Sequence, residues 1–140
     1  MTLNLDFYTR CIATLEGAHQ ALMEHDTQEI AYDIYRAACV KEFEIILEQS
    51  GKLLKKRLSP FFASNKAVDA LTFKDIFRHA TKHSLIDTQT CERWLQYRDN
   101  RNSTAHDYGV QFAESTLKIL PVFIEDARNL AQILTQATYD

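Results

Sequence analysis

Along the chain the apolar residues recur at intervals of three and four, the period of a helix that buries one face. Residues 4–24 place Phe7, Cys11, Thr14/Leu15, Ala18 and Leu22 in that register. A capping-box pattern, Asp26-x-x-Glu29, then predicts a long helix running to about Leu58, with Ile34, Ala37, Val40, Phe43, Leu47, Leu54 and Leu58 in phase. Ser59-Pro60 ends it, because the residue before a proline is pushed out of the helical region. Thr72-x-x-Asp75 opens a short helix through about His83, with Ile76, Phe77, Ala80 and Leu85 calling for burial. Asp87-Thr88 starts a fourth helix that carries Trp94, Leu95 and Arg98, and Gly109 separates it from a fifth over about 111–137. That last helix sets Leu117, Leu120, Ile124, Ala127, Ala131 and Leu134 on one face, and Pro121 is expected to kink it without ending it. The 60–71 connector is the longest and shows no clear element. Long helices with short connections predict an all-α fold, an antiparallel bundle of four to five helices.

Composition narrows the class. With 140 residues, 46% hydrophobic and 25% charged, the chain is expected to be one globular domain over 1–140. Three glycines and two prolines leave few turns, which favours long helices over many strands. No apolar run approaches the roughly 18 residues of a membrane span, and Asp6 and Arg10 interrupt the start where a signal peptide needs an apolar stretch, so a cytoplasmic protein is expected. Cys11, Cys39 and Cys91 are odd in number and far apart, which suggests core residues rather than disulfides or a zinc site.

The net charge of −3 conceals an asymmetry. Residues 52–101 hold eleven Lys or Arg against five acids, a balance of +6, while the other 90 residues hold five bases and fourteen acids, a balance of −9. A basic middle on an acidic chain suits a phosphate-bearing partner, since local potential and net charge are separate quantities. A run such as Lys52 to Arg57 also reads as the solvated face of a helix.

The densest chemistry lies in Arg101-Asn102-Ser103-Thr104-Ala105-His106-Asp107-Tyr108, preceded by Tyr97-Arg98-Asp99-Asn100 and stopped by Gly109. It combines a permanent cation, a histidine that titrates near neutrality and a phenol. The Arg-x4-His spacing recurs at Arg78 and His83, so spacing alone decides nothing; for Arg101 a helix-end salt bridge with Asp99 or Asp107 stays open. Residues five apart on one continuous helix are turned by about 140° and displaced by about 7.5 Å. Arg101 and His106 therefore grip one phosphate only if a helix end falls between them or a second copy of the chain contributes, and Asn102, Ser103, Asp107 and Gly109 make a helix end plausible. Arg98, one turn before Arg101, shares its face with Arg101 and Asn102. Trp94 and Tyr97 read as core or dimer contacts, and His19 and His25 as surface residues.

The pattern Arg101-Asn102-x-x-x-His106-x-Tyr108 resembles the R-x4-H-x-Y signature of HEPN domains, in the branch of nucleotidyltransferase substrate-binding proteins or HepT-type toxins. The likeness extends to Phe73-Lys74-Asp75-Ile76-Phe77-Arg78, to Leu85-Ile86, to Trp94-x-x-Tyr97-Arg98-Asp99-x-Arg101-Asn102 and to Lys41-x-Phe43-Glu44, covering roughly residues 30–125. The resemblance implies a HEPN-like helical bundle forming a homodimer, with the Arg and His of both copies in one cleft. It also implies a toxin–antitoxin ribonuclease that needs no metal or other cofactor, paired with a minimal nucleotidyltransferase, the MNT antitoxin, which silences it by transferring AMP to the motif tyrosine. Carried over by position, Arg101 and His106 are the catalytic pair, Tyr108 the AMP acceptor, and Arg98 and Asn102 supporting contacts to an RNA phosphate. The alternative is a non-catalytic substrate-binding or docking subunit of a nucleotidyltransferase.

Overall fold

The computed structural model describes residues 3–103 and 110–136. Among these, the secondary structure is entirely helical: α1 Asp6–Met23, α2 Ile30–Leu58, a 3₁₀ turn Ser59–Phe61, α3 Asn65–Asp69, α4 Phe73–Lys82, α5 Thr88–Ser103 and α6 Val110–Thr135. The protein is an all-α bundle in which α2, the longest helix, touches α1, α4, α5 and α6. No helix among the described residues is long and apolar enough to cross a membrane.

The helix starts follow from local chemistry. Thr72 and Asp75 form a full reciprocal box: the Asp75 N–H donates to Thr72 Oγ1 at 3.1 Å and the Thr72 N–H donates to Asp75 Oδ2 at 3.1 Å. Asp87 accepts the Thr90 N–H at 2.7 Å and so opens α5. These bonds hold the Asp75 and Asp87 carboxyls below the usual carboxylate range. The Asp26–Glu29 pair differs from expectation. Glu29 accepts the Asp26 N–H at 3.0 Å, but Asp26 accepts from Gln28, and Glu29 itself stays extended at φ −85°, ψ 143°. The pair therefore builds a turn ahead of the helix, which begins at Ile30. The connector carries order of its own: Ser64 accepts the Ala67 N–H at 3.2 Å to cap α3, whose Val68 is buried. Pro121 lies inside α6, which continues through it.

The core is an aromatic junction. Phe123 of α6 packs against Phe43 of α2, Trp94 and Tyr97 of α5 at ring-centroid distances of 4.7, 5.7 and 5.0 Å, and Trp94 stacks on Phe77 of α4 at 5.0 Å. Phe43, Phe77, Trp94 and Phe123 are wholly buried, each stabilising the fold by about 1.5–3 kcal/mol through area removed from water. Four helices are thus clamped at one point.

Two expected registers are corrected. In α1 the inward aromatic is Tyr8, not Phe7, which is 58% exposed. The Tyr8 hydroxyl is bonded to Ser50 Oγ at 2.7 Å, so a phenol that reads as polar in sequence reaches a partner inside the core. In α2, Ile34 is 60% exposed and Ala37 is also exposed, while Tyr32, Cys39, Phe43 and Ile46 turn inward. The α2 sequence is apolar on more than one face, so period alone does not select the side that α1 and α6 cover. Cys11, Cys39 and Cys91 are buried free thiols, as the sequence suggests.

Candidate functional site

The last two turns of α5 bring Arg98, Arg101 and Asn102 to one cleft of about 400 Å³, whose opposite wall is α2. The i, i+3, i+4 spacing puts all three on one face of α5, as expected. Across from them, Lys41, Glu44, Ile45 and Glu48 form the matching stripe of α2. Helix meets helix through paired charges: Glu44 Oε2 accepts from Arg101 Nε at 3.0 Å, and Glu48 Oε2 lies 3.5 Å from Arg98 Nη1. Arg101 thus finds a carboxylate on a facing helix, Glu44 of α2, while Asp107 lies outside the described residues. Asp99 is instead engaged by Lys74 of α4 at 2.6 Å.

Arg98 has a second seat. Its guanidinium carbon lies 5.1 Å above the Phe73 ring, a cation–π contact with the first residue of α4. Directly below, α2 has Gly51, where an added Cβ would come within 2.9 Å of the Phe73 ring. The glycine is required by this close approach, which lets Phe73 lie flat under the arginine.

Behind the cleft a buried polar network fixes α5 against α6. Arg93 donates to both oxygens of Asp126, from Nε at 2.8 Å and from Nη2 at 2.9 Å, and the Tyr97 hydroxyl donates to Asp126 Oδ2 at 2.5 Å. Asp126 is 3% exposed. Burial, then the bond to Asp126, pushes the Tyr97 phenol far above its ordinary range; the Asp126 bonds raise Arg93 likewise. Asn100 adds a bond from Nδ2 to Thr116 Oγ1 of α6 at 3.4 Å. The bidentate fork sets the rotation of α5, and with it the direction of Arg98 and Arg101.

His106 and Tyr108 lie outside the described residues. The second Arg-x4-His spacing does not converge: Arg78 pairs with Asp75 at 3.8 Å, whereas His83 stacks on Phe61 at 3.9 Å. Among the described residues no group of three or more His, Cys, Asp or Glu side chains is placed to hold a metal ion. The sequence reading did not assign Glu44, Glu48, Asp126 or Arg93. The available signals were the four-residue spacing of Glu44 and Glu48 opposite the Arg98–Arg101 step, and the phase of Asp126, which unlike Glu125 falls beside Phe123, Ala127 and Leu130 on the apolar face of α6.

The site is thus a charged cleft between α5 and α2 of an all-helical bundle. The chain belongs to the nucleotidyltransferase substrate binding protein like family, whose model matches residues 3–136. It is 32% identical over 112 residues to a Haemophilus influenzae protein named "Probable ribonuclease HepT", across 79% of this chain and 75% of that one. Among solved structures it is similar, at TM-score 0.77 and 27% identity, to a Haemophilus influenzae protein described as the fold of a substrate binding domain of a nucleotidyltransferase, over 95% of this chain and 100% of the other. A Thermus thermophilus protein shares the fold at TM-score 0.71 and 20% identity, over 92% and 99% of the two chains.

Proposed function

We propose that the protein is a metal-independent endoribonuclease of the HepT type, a toxin held in check by a minimal nucleotidyltransferase that transfers AMP to Tyr108. The observation that carries the reading is the gathering of Arg98, Arg101 and Asn102 in one cleft, at the end of the helix that leads into His106. Similarity to a protein named "Probable ribonuclease HepT" and membership of the nucleotidyltransferase substrate binding protein like family support the reading.

The chemistry needs a base, an acid and a cation. The 2′-hydroxyl of RNA attacks the adjacent phosphorus, the 5′-oxygen leaves, and a 2′,3′-cyclic phosphate remains. One His106 accepts the 2′-hydroxyl proton and a second, from the other copy in a C2 homodimer, protonates the leaving oxygen. Arg101 binds the equatorial phosphate oxygens as negative charge develops, with its fork oriented through Nε by Glu44. Arg98 and Asn102 hold the neighbouring phosphate. AMP on Tyr108 would fill such a cleft with bulk and negative charge.

The alternative is a docking subunit that presents a surface to its nucleotidyltransferase without cleaving RNA, and the family description favours it to that extent. Cleavage of an RNA oligomer, abolished by 2′-O-methyl substitution and leaving a cyclic-phosphate end, is the deciding experiment. No cleavage of any RNA by the purified protein, or a strict monomer by light scattering at micromolar concentration, overturns the nuclease reading.

A further inference from the structure

Beyond the arginine cleft, α2 continues into a second groove of about 540 Å³ against α3, and Gln49 lines both. The walls of this second groove carry Lys52, Lys55 and Lys56 of α2 and Ser59 at its end, with Asn65 and Asp69 of α3 opposite. Lys55 bridges to Asp69 at 3.0 Å, which matches the groove's acidic charge. Lys52 and Lys56 are exposed and take part in no salt bridge among the described residues, so they add two positive charges beyond that pair. Lys41, Ile45, Gln49, Lys52 and Lys56 follow one another at steps of four, four, three and four, and so form one ridge on α2.

We propose that the Lys52–Lys56 groove is the extension of the substrate track, taking the phosphates of single-stranded RNA on one side of the bond cut at the arginine cleft. The assignment rests on the ribonuclease reading and deepens it. From the Glu44–Arg101 pair to Lys56 the helix rises about 18 Å, room for roughly three to five consecutive phosphates of a single strand. The amides of Gln49 and Asn65 and the Ser59 hydroxyl supply contacts to sugar and base edges that an acidic protein surface does not require. Because both grooves share one rigid helix, their separation is fixed. The track therefore sets a minimum substrate length and favours an unpaired strand over a duplex.

The test is binding of fluorescein-labelled 2′-O-methyl oligouridylates of about 2 and about 12 nucleotides, which cannot be cleaved through the 2′-oxygen. The parent protein is expected to bind the longer oligomer at least about tenfold more tightly. In Lys52→Glu/Lys56→Glu that advantage disappears, and the salt dependence of log affinity becomes shallower by roughly 1.4, the contribution of two single-strand phosphates. Affinity for the shorter oligomer stays within about twofold. The neutral pair Lys52→Gln/Lys56→Gln gives a smaller loss in the same direction, and far-ultraviolet circular dichroism confirms that both variants keep their helices. Unchanged binding of the longer oligomer by the variants, in a protein that cleaves RNA, overturns the track and leaves the ribonuclease reading standing. Loss of nucleotidyltransferase capture with unaltered RNA binding overturns it too, assigning the groove to the protein partner. If neither oligomer binds the parent protein at low salt, the track and the ribonuclease reading fall together.

Discussion

Glu44 and Arg101 meet across the α2–α5 interface, carboxylate to Nε at 3.0 Å, with both side chains partly exposed at the edge of the cleft. The pair does two things at once. It neutralises a cation that would otherwise repel Arg98 and Lys41 nearby, and it pins the planar fork so that its direction is set by α2 rather than by solvent. A lysine at position 101 keeps the charge and loses the Nε contact, so Arg101→Lys is not a conservative change here.

Replacing His106 by Ala is expected to lower RNA cleavage by about 10²–10⁴-fold, the usual contribution of a positioned proton-transfer group. Arg101→Ala is expected to cost about 10²–10³-fold, the loss of one electrostatic contact to the developing charge. EDTA leaves cleavage unchanged. Rates on a labelled RNA, read beside circular dichroism of each variant, check all three. Undiminished cleavage by His106→Ala transfers the role to another histidine, His83 first.

Tyr108 is the only phenol within the 101–108 motif, and it is expected to receive one or more AMP units when the protein is co-expressed with its nucleotidyltransferase and supplied with ATP. Tyr108→Phe keeps the ring and deletes the acceptor oxygen, so this variant stays unmodified and active but escapes silencing. Intact-mass measurement and peptide mapping decide the matter; adenylation on any other tyrosine contradicts the assignment.

Gly51→Ala places a methyl 2.9 Å from the Phe73 ring. Relief requires the ring to tilt, and the ring is the seat of the Arg98 guanidinium at 5.1 Å. The expected result is a loss of about 1–3 kcal/mol in stability from overpacking, together with weaker RNA binding. Urea unfolding gives the first. Comparison with Arg98→Ala gives the second: if the two changes act through one contact, the double variant binds no worse than Arg98→Ala alone.

The cap carboxylates give the stability a sign with pH. Asp75 and Asp87 are held below the usual carboxylate range, in each case first by a backbone N–H. A depressed folded-state value means that their contribution is complete above about pH 4 and fades as pH falls through the lowered values. Urea midpoints are therefore expected to decline from about pH 4 downward. Asp75→Asn and Asp87→Asn are expected to be less stable than the parent at neutrality and to converge with it in acid.

Much of this was legible because local signals and tertiary demand agree. The Thr72 box, the Asp87 start, and the burial of Phe77 and Trp94 are written in residues whose preference does not depend on distant partners. Where apolar side chains cover two faces, as at Ile34 and Cys39 or at Phe7 and Tyr8, the choice is made by neighbours far along the chain. Ser50, which receives the Tyr8 hydroxyl, is 42 residues away. The clustering of Arg98, Arg101 and Asn102 was readable from helical spacing, but Glu44 and Glu48 were not, since pairing between α2 and α5 is a property of the assembled bundle. The Asp126 fork was hidden for the same reason.

The three buried thiols give the bundle an internal clock. Cys11 lies on α1, Cys39 on α2 and Cys91 on α5, so each belongs to a different helix. Burial raises the Cys11 thiol and pushes Cys39 up to about 11, and alkylation requires an accessible thiolate. Labelling at each position therefore waits for its helix to swing away, and the order in which the three sulfurs react records the order in which the bundle comes apart.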